Sequence, residues 1–357
     1  KVLDKLPDFE QNIPPVASET TVASIYTKEM TTKSTPYKFL WGEHYRDFYS
    51  TPIAFKNLFL DKVKLTPTVS GGGNQTMSLR LLSDDGREFA MRAIKKSAPR
   101  FVQKAFLKDK NVEEKVKGTY AESLIYDFYT TSHPYTPIII NNFSDAIGIH
   151  HTNPQLYFVP KQNALGYYNE EYGDAVYLIE ERVNKTQLNV SSFGNPTNII
   201  STPDLMENLR KDEKYIVDKE LYLKSRLFDF LIGDWDRHGD QWRWAEFKTE
   251  DAVLYQPIPR DRDQAFAKID GVILAVLRNT PPMRHMQSYK KSFAHPRWIN
   301  KTAFSMDVKF LTELSEEKWV ETAEYIKKHI TNELIDQAFD QLPAEVNNST
   351  SGEIKEV

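Results

Sequence analysis

The 357-residue sequence contains no cysteine. Disulfides, thiolate metal centres and cysteine nucleophiles are excluded, while the compartment stays open. Also missing is any apolar run near the roughly 20 residues that a membrane-crossing helix needs. Segments 135–140 and 272–277 read as buried strands or helix faces. A large excess of one charge is absent too: 46 Lys and Arg against 50 Asp and Glu leave a formal net charge of −4 at pH 7. That balance argues against bulk nucleic-acid binding, which wants a clustered basic surface. No internal repeat occurs. What is present is an ordinary globular composition, 40% hydrophobic and 12% aromatic, in a chain long enough to build a large core as two lobes.

Patterning along the chain predicts its organisation. Residues 1–36 are rich in Pro, Thr, Ser and charge without periodicity and predict an extended arm; residues 347–357 predict a disordered tail. From Leu65 a strand leads into Ser70-Gly71-Gly72-Gly73-Asn74-Gln75. Alternation at Met77, Leu79 and Leu81, a turn at Ser83-Asp84-Asp85-Gly86, and a third strand from Glu88 to Lys96 follow. Val112, Val116, Tyr120, Leu124 and Phe128 have helical spacing, and Pro134 forbids continuation. Residues 175–179 read as a buried strand ending in Glu180-Glu181-Arg182. The second half reads as mainly helical. One long helix, marked by Val217, Leu221, Phe228 and Leu231, delivers the chain to Gly233; later helices carry Trp319 to Ile330 and Leu334 to Leu342, where Pro343 stops the last.

Two constellations in the first half suggest contact with an anion. Three consecutive glycines cost backbone entropy, so Gly71, Gly72 and Gly73, with Gln75, fit a hairpin that presents amide N–H groups to phosphate oxygens; a plain flexible loop is the bland alternative. In the third strand Arg92, Ile94 and Lys96 share a face and Lys95 takes the other. A cation there, Arg92 or Lys96, can neutralise phosphates, braced by a helix carboxylate for which Glu122 is the candidate. A solvated strand end is the competing account of the lysines.

The densest chemistry lies in Gly233-Asp234-Trp235-Asp236-Arg237-His238-Gly239-Asp240-Gln241 and, some twenty residues on, Pro259-Arg260-Asp261-Arg262-Asp263-Gln264-Ala265-Phe266. Desolvated carboxylates repel and must be paired or metal-bound. An Asp followed five residues later by a carboxamide, with another Asp beyond, is the minimum set for phosphoryl transfer. Asp236 would orient or deprotonate a hydroxyl; Gln241 with Asp261 or Asp263 would hold Mg²⁺ or Mn²⁺. Arg237 and His238 would stabilise moving charge or relay a proton. The alternative is an ion-pair network of Asp234, Arg237, Asp240, Arg243, Arg260 and Arg262.

These motifs, in this order, resemble the atypical protein-kinase-like fold. The Asp236-Arg237-His238 loop resembles the Asp-Arg-His-x-x-Asn of phosphoinositide kinases and the Asp-x-His-x-x-Asn of HipA-type kinases. Asp261-Arg262-Asp263 is similar to the Asp-x-Asp of CotH spore-coat kinases. With Gly42-Glu43-His44-Tyr45-Arg46 they also resemble a bacterial envelope-associated family, whose members are sometimes joined to metallophosphoesterase or outer-membrane barrel modules.

The resemblance implies an α+β, two-lobed protein-kinase-like fold, with a β-rich N-lobe over 37–182 and a helical C-lobe over 183–346. It implies ATP and Mg²⁺ or Mn²⁺ as cofactors and a phosphotransferase acting on a protein, sugar or lipid hydroxyl. A catalytically silent binding module and a metal-dependent phosphohydrolase are the alternatives. Asp236 becomes the base, Gln241 and Asp261 metal ligands with Asp263 second, Arg92 or Lys96 the phosphate contact paired with Glu122, and the backbone near Glu180 and Glu181 the adenine edge. The expected partners are a nucleotide and a hydroxyl-bearing substrate, without nucleic acid. The expected location is the bacterial envelope, by tethering rather than spanning, with the cytoplasm as the other option. Two departures stand out: Gln241 occupies an asparagine position, and arginine, whose planar fork differs from an ammonium, occupies the usual lysine position.

Overall fold

The computed structural model describes residues 19–71, 76–98 and 118–357, with the backbone alone at 348–350. Strand β1 (Thr20–Ala23) pairs antiparallel with β2 (Ile53–Lys56), so the expected extended arm is corrected over its described part. Between them lie short helices α1 (Thr35–Trp41) and α2 (Arg46–Ser50). Apolar side chains such as Ile25 and Tyr26 explain the anchoring, since both are buried in the largest core cluster.

Strands β3 (Leu65–Gly71), β4 (Thr76–Ser83), β5 (Glu88–Lys96), β6 (Gln155–Val159) and β7 (Ala175–Glu181) form one five-stranded antiparallel sheet in the order β3-β4-β5-β7-β6. Period-two alternation decides its faces. Leu79 pairs with Met91 and Leu81 with Phe89, and all four are fully buried with Tyr177 and Ile179 in a core on one side of the sheet. Arg92 therefore points to the opposite side, toward the second half of the chain. Emptying this core by Leu81→Ala would cost about 2–5 kcal/mol.

Between β5 and β6 run α3 (Tyr120–Tyr129) and α4 (Ile140–Ile147). The sequence predicts the first of these from Val112, but residues 99–117 lie outside the described part; Thr119 caps α3 by accepting a bond from the Glu122 amide. The helix stops before Pro134 as its ring requires.

The second half holds more strand than its sequence suggests. Strands β8 (Asn198–Ser201), β9 (Tyr215–Val217), β10 (Trp242–Lys248) and β11 (Val253–Pro259) make a four-stranded sheet ordered β8-β10-β11-β9. Helices α5 (Thr202–Lys211) and α6 (Lys219–Leu231) precede the β10–β11 hairpin. After it come α7 (Val272–Arg278), α8 (Phe304–Leu311), α9 (Glu316–His329), α10 (Asn332–Phe339) and α11 (Ala344–Glu356). The last corrects the expected disordered tail: Val346 and Ile354 give a polar-looking segment two anchors, and both are buried in the main core. No helix among the described residues is long and apolar enough to cross a membrane.

An antiparallel five-stranded sheet with its helix after the third strand, joined through the end of β7 to a larger helical part, is an α+β two-lobed, protein-kinase-like architecture.

Candidate active site

The two acidic motifs meet because a hairpin joins them. Trp242 pairs with Pro259 at the open end of β10–β11, so Gln241 and Arg260 become neighbours, and the Arg260 amide donates to the Gln241 carbonyl at 3.0 Å. Twenty residues of separation are consumed by two paired strands and a turn. Alternating Trp242 and Trp244, both fully buried, hold that hairpin against Tyr222 and Phe310.

Helix α6 brings the first motif in. Asp218 caps its start by accepting from the Leu221 amide. Its end turns at Gly233, with φ +69°, where an added Cβ would sit 2.8 Å from the Tyr289 ring. Arg226 and Asp229 lie one turn apart on the buried face of α6. Asp229 is fully buried and faces three guanidiniums: Arg226 at 2.9 Å, Arg237 at 3.3 Å and Arg262 at 3.0 Å. Arg226 also meets Asp307 of α8 at 2.8 Å. Burial alone would raise the Asp229 carboxyl, but the three arginines hold it below its ordinary value.

Arg237 belongs to this network, which corrects its expected place beside a moving phosphoryl group. Its side chain is fully buried, packed on the Trp242 ring at 4.8 Å, and Nη1 donates to the Arg260 carbonyl at 2.8 Å. It ties the first motif to the second. Asp234 is likewise internal: one oxygen accepts from the Asp236 amide at 3.2 Å. Burial pushes its carboxyl up to about 8, with Asp229 and Asp263 adding to the rise and Arg237 opposing it.

The alternate residues open the other way. Asp236, His238, Gln241, Asp261 and Asp263 line a cleft of about 500 Å³. Across it stand Gly71, Ser78, Arg80 and Arg92 of the five-stranded sheet, and Glu180 to Val183 close one side. Gly72, Gly73 and Gln75 lie outside the described residues. The Asp236 carboxyl is raised, first by burial and then by the charge of Asp263, with His238 and Arg237 opposing. Asp261 goes the other way: burial would raise it, yet Arg92, Arg260 and Lys96 hold it below the usual carboxylate range. Asp261 also takes a left-handed φ of +59°, which non-glycine residues rarely adopt and which costs on the order of 1–3 kcal/mol.

Cations from β5 reach both candidate metal carboxylates. Arg92 Nη1 meets Asp261 Oδ1 at 2.5 Å, and Lys96 Nζ meets Asp263 Oδ2 at 2.7 Å. The expected Glu122 brace is corrected. Arg92 Nε pairs with Glu180 at 2.9 Å, whereas Glu122, at the third position of α3, reaches back to the Gly118 amide at 2.5 Å. Glu180 also accepts from the Thr152 hydroxyl at 2.6 Å, and Glu181 from the Asn153 amide at 2.8 Å, so both carboxylates are consumed internally. The Glu180 partnership was invisible to helix–strand reasoning because it needs the β5–β7 register, in which Ala90 opposes Glu180.

For a divalent cation the donor chemistry fits in part. Among the described residues no three His, Asp or Glu side chains converge closely enough to hold a metal by themselves. Asp261 keeps a carboxylate oxygen outside its cation pair, the second oxygen of Asp263 accepts from the Gln264 carboxamide at 3.2 Å, and the Gln241 carboxamide lines the cleft without a hydrogen-bond partner among the described residues. An oxygen-only set with few protein ligands suits a hard cation whose shell is completed by phosphates and water.

No family model matches the sequence, and no curated protein matches it. Among solved structures, the chain is similar to the Helicobacter pylori proinflammatory kinase CtkA at 12% identity and a TM-score of 0.43, over 85% of this chain and 93% of that one. It is similar to the Rio2 kinase of Chaetomium thermophilum, in a complex with ADP/Mg²⁺-phosphoaspartate, at 10% identity and a TM-score of 0.36, over 82% and 69%. A chain of the HipA, HipB and operator DNA complex from Shewanella oneidensis MR-1 matches at 14% identity and a TM-score of 0.23, over 82% and 68%.

Proposed function

We propose that the cleft transfers a phosphoryl group from ATP to a hydroxyl acceptor. One observation carries the reading. A carboxyl raised by burial, Asp236, shares a cleft with the lowered carboxyl of Asp261 and with a strand cation, Arg92. Carboxylates pushed apart in this way divide the work of base and ligand. Arg92 and Lys96 would hold phosphate oxygens, sharing Asp261 and Asp263 with them. Asp236 would accept the acceptor's proton as its oxygen bonds to phosphorus and the bond to the leaving diphosphate breaks. Asp261, Asp263 and Gln241 would hold Mg²⁺ or Mn²⁺, which supplies neutralisation of polyphosphate charge when bound. Arg237 and Asp234 act through the loop, by fixing its path.

The test is label transfer from ATP marked at its terminal phosphate, combined with melting temperature in ATP and Mg²⁺ or Mn²⁺. A nucleotide-dependent rise that Asp261→Ala abolishes, with transfer that Asp236→Asn abolishes, is the expected result. A rise without transfer to any acceptor or to water would favour the silent binding module. The pairs Arg92–Asp261 and Lys96–Asp263 support that second reading, because both must loosen before a metal can be gripped. The envelope setting implied by the motif resemblance belongs to the same proposal, and fractionation of cells producing a tagged chain tests it.

A further inference from the structure

Residues 271–306 include six Lys or Arg and no Asp or Glu, in a chain whose formal net charge is −4. Among the described residues only Lys291 of the six forms an ion pair, to Glu356 at 2.6 Å. Arg284 and Lys301 lie over the Trp298 ring, 5.4 and 6.0 Å from its centroid, and spend their hydrogen bonds on the carbonyls of Asn279 and Pro282. Lys290 and Arg297 are exposed. Elsewhere in the molecule surface lysines repeatedly find carboxylates, as Lys318 does with Glu220 and Lys355 with Asp336. A strip whose cations, Lys291 apart, form no ion pair among the described residues attracts anions from outside the chain.

The strip is fastened to the loop that carries Asp236. The Thr302 hydroxyl accepts from the Arg237 amide at 2.9 Å and donates to the Trp235 carbonyl at 2.7 Å. The His285 ring meets Trp235 edge-on at 5.3 Å, and the Tyr289 ring lies against Gly233. These contacts tie the strip to the backbone on both sides of Asp236, so a segment bound by the strip is held by the same loop that carries that carboxyl.

We propose that the acceptor is a polypeptide segment whose Ser, Thr or Tyr hydroxyl is flanked by acidic side chains, which residues 278–301 receive. This rests on the phosphotransfer reading of the cleft. A bilayer of anionic lipid is the poorer match, because the rest of a chain of net charge −4 would be repelled by that broad negative surface. A short acidic segment meets the strip alone.

Fluorescent peptides of equal length, with a central Ser flanked by Glu, Ala or Lys, test it by anisotropy with the full chain. The Glu peptide should bind about tenfold tighter than the Ala peptide at low salt, and salt should erode the difference. Lys290→Glu with Arg297→Glu should reduce that affinity about fivefold while the melting temperature, and its rise with ADP and Mn²⁺, stay unchanged. Equal binding of the Glu and Ala peptides, with the ADP-dependent rise intact, overturns this inference and leaves phosphotransfer standing. Stronger capture of phosphatidylserine vesicles or random-sequence RNA, lost in the same double variant, also overturns it. A Glu preference in a chain that shows neither nucleotide-dependent rise nor transfer supports the strip as an acidic-segment surface and removes phosphotransfer.

Discussion

The Arg92 guanidinium is divided between two carboxylates from distant parts of the chain, with Nε on Glu180 at 2.9 Å and Nη1 on Asp261 at 2.5 Å. Only a planar fork spans both. Arg92→Lys should release one of them, destabilising the fold by about 1–3 kcal/mol in urea unfolding and weakening nucleotide-dependent stabilisation. A lysine variant that binds nucleotide as well as wild type would show that the ordinary ammonium suffices.

Asp236 must be ionised to accept a proton, and its carboxyl is raised by burial and by Asp263. The rising limb of a pH–rate profile should therefore lie above the ordinary carboxylate range. Asp263→Asn removes a neighbouring negative charge and should move that limb to lower pH. Asp236→Asn should lower turnover by about 10²–10⁴-fold with nucleotide affinity little changed. A limb that stays put in Asp263→Asn would assign it to another group.

Asp234 predicts a stability trend between the ordinary carboxylate range and about pH 8. Its folded carboxyl sits at about 8, above an unfolded value near 4, so between those values the folded chain holds the extra proton. Its contribution is complete at low pH and is lost as pH rises through about 8. Asp234→Asn keeps an oxygen for the Asp236 amide and cannot ionise. Melting temperature against pH should thus fall less steeply in the variant than in wild type, and parallel curves would refute the assignment.

Asp229 holds three arginines together inside the helical lobe. Asp229→Ala leaves Arg262 buried without its carboxylate and Arg237 with Asp234 alone, at 3.5 Å, a loss of about 3–5 kcal/mol. Denaturant midpoints measure it directly. Arg243→Ala, by contrast, breaks an outward pair with the exposed Asp240 at 3.3 Å and should cost about 0–1 kcal/mol.

Much of the β-rich half was legible because its alternation is strong: Met77, Leu79 and Leu81 against Phe89 and Met91 leave little freedom about which face is buried. The second sheet was harder to read. Its strands are short, β9 pairs in parallel through a distant neighbour, and Trp242 or Tyr255 fits a helix stripe as readily as a strand. Arg226 and Asp229, one turn apart in an otherwise apolar stripe, are the mark of buried charge that the sequence carries. The terminal helix α11 depends on two apolar anchors in a polar segment, and composition weighs such anchors too lightly.

Residue chemistry and local spacing alone determined that carboxylates, a carboxamide and strand cations are present in an order suited to phosphate chemistry, and that cysteine chemistry is not. Which of them face the cleft was decided by the tertiary structure. Within one motif Asp234 and Arg237 turn into the core while Asp236, His238 and Gln241 line the cleft, and Arg92 chooses Glu180 over Glu122. The physical reason is that a charge's partner depends on strand register, hairpin closure and the direction of a loop, and these are set by packing between elements far apart in the chain.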